Sequence, residues 1–215
     1  MMILPKRIRY QSRFVFWSLS FFYAGIVWIM RLCLIPVSYE GNYKKHSKEP
    51  VIFVANHQSS IDIPLLGLLA QAQPHVWLAR HELMTWYLLR WVLPRLAVVI
   101  NVSSHQKAMA SLLRLVRLVR DKNIDVMVFP EGSRYPDEKV HKFYGGFVTL
   151  AKLLKRPVVP VAIVGINHVY PPNSFWVYKH PVRVVVGEPF TMKEGESDKE
   201  FKQRVHQWFV EQVES

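Results

Sequence analysis

The chain has 215 residues, half of them apolar, and carries 28 lysines and arginines against 16 acids for a formal net charge of +12. That is length and apolar content enough for one substantial core with a small appendage. A single cysteine, Cys33, excludes an internal disulfide framework and is compatible with a reducing compartment. The charge asks for an anionic partner, and no helix-turn-helix, zinc-finger or RNA-binding signature accompanies it, so a membrane face is favoured over nucleic acid.

The N-terminus opens with Lys6, Arg7, Arg9 and Arg13 and no acid, followed by residues 14–30, FVFWSLSFFYAGIVWIM, which are apolar but for two serines. A basic flank of this kind favours the cytoplasmic side, here the cytoplasmic face of the inner membrane. As a helix the run measures about 25 Å, short of a hydrocarbon core of roughly 30 Å. Apolar residues resume after Arg31 over 32–37, with Pro36 near the end. The segment therefore reads as a marginal span or a helix pair lying in one leaflet, the latter preferred because of Arg31 and the aromatic load. A signal peptide is disfavoured, since no clean small-residue cleavage site follows. Residues 1–40 form this anchor, 41–49 a polar linker containing NYKKHSK, and 50–215 the main domain.

From residue 50 onward, apolar strand-like runs at 51–55, 75–79, 96–102, 124–129, 158–164 and 182–186 alternate with helical periodicity at 61–72, 82–93, 104–120 and 145–154. Such alternation predicts an α/β fold, a single domain with a largely parallel sheet flanked by helices, whose ligands bind beyond the carboxyl ends of the strands. The first run ends in VIFVANHQSSIDIP, which sets His57 in the polar turn and Asp62 at the start of the next helix. On one continuous helix the two would lie about 140° apart, whereas a strand end, turn and new helix can fold the carboxylate back to the ring. Asp62 would then hold the imidazole tautomer while the other nitrogen acts as a general base. No serine or cysteine nucleophile signature is present, so the nucleophile is a substrate hydroxyl and the reaction a group transfer. The plain alternative makes Asp62 or Ser60 a helix N-cap and His57 a turn residue.

Ser103 to Gln106 has the form of a capping box, and Lys107, Arg114 and Arg117 fall near one face of the following helix. That stripe is either a solvated face or a contact for acidic headgroups. The run 124–129 leads into Phe129-Pro130-Glu131-Gly132-Ser133-Arg134, and Lys142-Phe143-Tyr144-Gly145-Gly146 follows. Gly132 would let backbone approach a ligand closely. Tyr170 to Ser174, YPPNS, is a loop, and 197–213 is an amphipathic terminal helix. The nine histidines are scattered, with no metal-ligand spacing and no nucleotide-binding glycine loop, so neither metal nor cofactor is expected.

Together NHQSSID and FPEGSR resemble the glycerolipid acyltransferases, specifically those that acylate 1-acyl-glycerol-3-phosphate, and VVPVAI at 158–163 resembles the family's proline-containing strand. The resemblance runs over roughly 50–189. It implies a two-helix element in one leaflet, His57 and Asp62 as the catalytic pair, Arg134 on the acceptor phosphate, Glu131 and Gly132 at the glycerol-phosphate, and acyl-coenzyme A or acyl-carrier protein as donor. The acceptor it implies is lysophosphatidic acid, giving phosphatidic acid. The family's second block ends in an acidic residue and an arginine; here the matching stretch is AVVINV at 97–102, and the arginine is absent. Lys107, Lys142 or Arg80 would supply the second phosphate charge, with Lys107 ranked first because it opens the helix after that strand. From the family, no role carries over to the segment Arg80-His81-Glu82-Leu83. The missing arginine leaves open another lysophospholipid or a lyso-aminolipid as acceptor. From a different class comes a non-catalytic acidic-lipid-binding protein, against which the intact His57, Asp62, Glu131 and Arg134 weigh.

Overall fold

A computed structural model describes residues 13–41, 49–80, 97–135, 137–172 and 174–214, without the side chains of Arg13 and Arg80. The expected basic flank before Arg13, most of the linker and the helix expected over 82–93 lie outside the described residues.

In chain order the elements are α1 (Arg13–Leu32), β1 (Val37–Gly41), β2 (Ile52–Ala55), α2 (Asp62–Gly67) continued by a 3₁₀ turn (Leu68–Ala70), β3 (His75–Arg80) and β4 (Ala97–Ile100). They continue as α3 (His105–Val119), β5 (Asp125–Val128), α4 (Gly146–Leu154), β6 (Val158–Val164), α5 (Ile166–Val169), β7 (Val182–Val186) and α6 (Asp198–Val213). The seven strands form one sheet in the order β1-β7-β6-β2-β5-β3-β4. All neighbours are parallel except β6 and β7. Five strands therefore finish on one edge of the sheet, the edge at which β1 and β7 begin.

Strand periodicity sorts the core into two layers. Ile52, Val54, Val126, Val128 and Ala162 face α3, α4 and α6, while Phe53, Ala55, Met127, Val161 and Ile163 face α1, α2 and α5. Runs buried on both faces are what a parallel sheet requires, and β2 is buried at all four positions. Pro160 is tolerated inside β6 because its missing N–H faces the chain just beyond β7, where Val158 bridges Phe190 and Gly187 N donates to the Pro160 carbonyl at 2.9 Å.

Three expectations change. The segment 32–37 is not a second helix: α1 runs through Arg31 to Leu32, Leu34 takes a left-handed turn (φ 58°), and Ile35 and Val37 enter the core. Residues 37–41, placed with the anchor and linker by the sequence, are an edge strand paired with β7, so the sheet begins before residue 50. The cap of α3 is Ser104, one residue later than expected; its Oγ accepts from Lys107 N while Ser103 N donates to Asn101 Oδ1.

α1 is long and apolar enough to cross a membrane, with about a fifth of it (22%) buried. Its inner face, Phe16, Tyr23, Val27 and Met30, packs on the sheet and α2, and Gly67 exists to admit the Tyr23 ring, which a Cβ there would strike at 2.4 Å. The outer face presents Phe14, Trp17, Phe21, Phe22, Trp28, Ile29 and Leu32 to the surroundings, each at least half exposed.

Candidate active site

Strands β2 and β5 are adjacent and parallel, so the turns leaving their carboxyl ends stand about 5 Å apart. These turns are NHQSSID and FPEGSR. Backbone stitches them together, with Tyr135 N donating to the His57 carbonyl at 3.1 Å and His57 N donating to Glu131 Oε1 at 3.3 Å. On the other side the buried amide of Asn56 continues the β2·β6 ladder past the strand end, giving to Ile163 O at 2.8 Å and accepting from Ile163 N at 2.7 Å.

His57 Nδ1 lies 2.8 Å from Asp62 Oδ2. The same oxygen accepts from Gln58 N at 2.7 Å and Ser59 N at 2.8 Å. Three donors on one oxygen identify it as an acceptor and place the ring proton on Nδ1, leaving Nε2 with its lone pair. Asp62 is the first residue of α2 and fully buried, and Ile61, not Asp62 or Ser60, occupies the N-cap with no side-chain cap bond. The capping alternative is thereby excluded, since the carboxylate closes the preceding turn instead. The His57 ring is 16% exposed and stacks on Phe129 at 4.0 Å and 12°, with Trp77 stacked behind Phe129 at 5.7 Å. Trp77 Nε1 donates to Tyr23 OH at 3.3 Å, which ties this aromatic column to α1.

Glu131 is 2% exposed. Burial, reinforced by the nearby charges of Asp62 and Asp137 and offset in part by the His57 amide, pushes its carboxyl up to about 8. At neutral pH it is mainly a neutral acid with an O–H to donate. Among the described residues its Oε2, like Asp62 Oδ1, is buried without a hydrogen-bond partner. Gly132 sits at φ 69°, a left-handed turn that glycine adopts without strain. Arg134 is exposed and its Nη1 donates to Ser60 Oγ, so this guanidinium leans over the His57 turn and not onto Glu131.

The structure thus gathers His57, Asp62, Glu131, Gly132 and Arg134 at one edge of the sheet. Lys107 is exposed in the first turn of α3, the helix that follows β4, and β4 lies three strands, about 14 Å, across the sheet from β2. Sequence reasoning gave no role to Phe129, Gln58 or Ser59. Phe129 opens the second motif and its position one residue past a buried strand was the available signal; the two backbone amides leave no mark in residue identity.

The Acyltransferase family model matches residues 36–164, from the turn before β1 to the end of β6. A 1-acyl-sn-glycerol-3-phosphate acyltransferase of Limnanthes douglasii is 30% identical over 86% of this chain and 65% of its own length. The chain thus spans just under two thirds of that relative. A lyso-ornithine lipid O-acyltransferase of Pseudomonas aeruginosa is 31% identical over 63% of this chain and 51% of its own length. Among solved structures, the 1-acyl-sn-glycerophosphate acyltransferase PlsC of Thermotoga maritima superposes with a TM-score of 0.76 at 25% identity, covering 100% of this chain and 84% of the other.

Proposed function

The chain belongs to the Acyltransferase family, and from that premise we propose that it moves an acyl chain from acyl-coenzyme A or acyl-carrier protein to the 2-hydroxyl of lysophosphatidic acid, giving phosphatidic acid. His57 Nε2 takes the hydroxyl proton as the oxygen attacks the thioester carbonyl. The tetrahedral adduct collapses, the C–S bond breaks, and the imidazolium returns the proton to the departing sulfur as thiol. Asp62 orients the ring and offsets its transient positive charge, the role of the carboxylate in hydrolase triads. Arg134 binds two phosphate oxygens in a planar fork, and the neutral Glu131 holds a glycerol or acyl oxygen through its O–H. Gly132 keeps the turn open to the headgroup. No cofactor or metal takes part; the donor is a co-substrate.

The observation that carries this reading is the 2.8 Å contact between His57 Nδ1 and Asp62 Oδ2 beside a turn that presents Arg134. The +12 charge and the apolar outer face of α1 support work at an anionic membrane surface, and the basic run Lys6, Arg7, Arg9 and Arg13 favours the cytoplasmic side of the inner membrane. One alternative acceptor has a specific basis. Asn101 and Val102 stand where the family's acidic residue and arginine are expected, and a lyso-ornithine lipid acyltransferase is among the relatives. An acceptor panel at fixed donor, read by thiol release, decides between them. Lysophosphatidate should react fastest; a lyso-aminolipid reacting faster would reassign the acceptor, and silence with every acceptor and donor would favour a binding protein.

A further inference from the structure

The connection from α5 to β7 carries Phe175, Trp176, Val177 and Tyr178, which are 96, 74, 52 and 53% exposed, and the acyl-transfer chemistry uses none of them. Four consecutive large apolar side chains in water mark a contact surface. The loop holds its shape: Tyr178 N donates to the Val169 carbonyl at 2.8 Å, and Ser174 Oγ accepts from Trp176 N at 3.0 Å. Its base reaches the catalytic turn, since Ser59 Oγ donates to the Tyr170 carbonyl at 2.8 Å, two residues from His57.

The loop leaves the sheet at the edge where β2, β5 and β6 finish and β7 begins. The carboxyl end of α1 arrives at the same edge. Val182 N donates to the Pro36 carbonyl at 2.8 Å, and Pro36, His180 and Pro181 line one cavity of about 390 Å³. Trp28, Ile29 and Leu32 at that end of α1, and Leu34 in the turn after it, are 55 to 68% exposed. Two apolar surfaces, one a helix face and one a loop tip, therefore flank the same corner of the molecule. Lys179 and His180 follow the loop tip directly. Aromatic side chains backed by a cation are suited to the headgroup layer of a bilayer, where amphipathic rings settle and ammonium groups meet phosphate.

We propose that residues 175–178 are a second membrane contact, inserted in the bilayer interface beside the carboxyl end of α1, which holds the His57 edge of the sheet against the membrane so that a lipid acceptor reaches the imidazole from the apolar layer. The occupant is the bilayer, because the loop flanks the same corner as the exposed apolar carboxyl end of α1 and carries its own cation. The inference rests on the acyltransferase reading for the acceptor but not for the contact itself.

The test uses the full chain with Cys33→Ser, since Cys33 is the only cysteine and is exposed, and Phe175→Cys carrying an environment-sensitive fluorophore. A matched probe at Gln203→Cys sits on the exposed side of α6, in the opposite layer. On mixed phosphatidylcholine and phosphatidylglycerol vesicles the probe at 175 should shift to the blue and be quenched by brominated acyl chains, and the probe at 203 should do neither. A vesicle-bound protein whose probe at 175 stays in water overturns the loop contact and leaves the role of α1 standing. A blue shift that grows with protein concentration without vesicles overturns it in favour of a second copy of the chain. Failure to bind vesicles at all overturns both this inference and the membrane reading, while thiol release with a soluble acceptor would keep the catalytic reading intact. In a second measurement, F175S/W176S should cut thiol release with vesicle-borne acceptor by roughly tenfold and leave release with a short-chain soluble acceptor unchanged. Equal loss with both acceptors would mean a structural role and overturn the contact.

Discussion

At the scale of single residues, the His57 imidazole is held by two contacts, a hydrogen bond from Nδ1 to Asp62 and a stack on Phe129. The stacking distance of 4.0 Å at 12° leaves the ring one plane in which to lie. Phe129→Ala should lower kcat by about tenfold to a hundredfold, in the range seen when a general base loses alignment, with acceptor KM little changed, and Phe129→Tyr should restore most of the loss. Thiol-release kinetics across acceptor concentration check this. Glu131 makes a separate prediction about pH. Its carboxyl ionises near 8 when folded, against an ordinary value of 4.5. Between those values the folded state binds more protons than the unfolded one, so stability falls as pH rises through the window. The fall should amount to roughly 2 kcal/mol between about pH 5 and pH 7. Asp125, pushed up to about 6 by burial, adds a smaller fall that is complete nearer pH 6. Glu131→Gln keeps a neutral side chain and should flatten most of this dependence, as read by melting temperature across pH. An unchanged slope would place the buried charge elsewhere. In the sequence His57 and Asp62 stood out by residue type and setting, and Glu131 and Arg134 through the family resemblance of their motif. Residue type could not expose the Gln58 and Ser59 amides, which every residue but proline possesses.

At the scale of elements, the strands were readable because a sheet covered on both faces demands unbroken apolar runs, and β6 and β7 fall on their expected bounds. β1 was hidden for the converse reason. As an edge strand it alternates buried Val37 with exposed Ser38 and Glu40, and it follows an apolar run that reads as its continuation. α5 is a four-residue turn of helix, too short for periodicity to register. The junction between α3 and β5 depends on Arg156, a residue with no visible signal in its neighbours. Its buried guanidinium donates to the carbonyls of Val119, Lys122 and Ile124, adding to the backbone bonds that Val119 O and Lys122 O accept from Lys122 N and Ile124 N. Arg156→Met should cost about 2 kcal/mol through the loss of its hydrogen bonds to these carbonyls while leaving thiol release per folded molecule intact. Thermal unfolding and activity measured on the same preparation check the pair of outcomes.

At the scale of the whole molecule, one edge of the sheet collects the His57 turn, the Glu131 turn, the carboxyl end of α1 and the aromatic loop. The apolar outer face of α1 was legible in composition, whereas its orientation on the sheet follows from Tyr23 docking at Gly67 and Trp77, a long-range fit no periodicity encodes. Trp17→Ser with Phe21→Ser should weaken vesicle binding by roughly tenfold, since both side chains point outward, and should not shift the melting temperature in the absence of vesicles. Co-sedimentation and calorimetry test these together. Beneath all of it lies the proposed proton transfer at one imidazole. The measurement that reaches it most directly is single-turnover thiol release from acyl-coenzyme A with lysophosphatidate, comparing wild type with His57→Ala on protein of matched melting temperature. Release should fall by at least about a thousandfold with donor binding retained; release at the wild-type rate would contradict a general base at position 57.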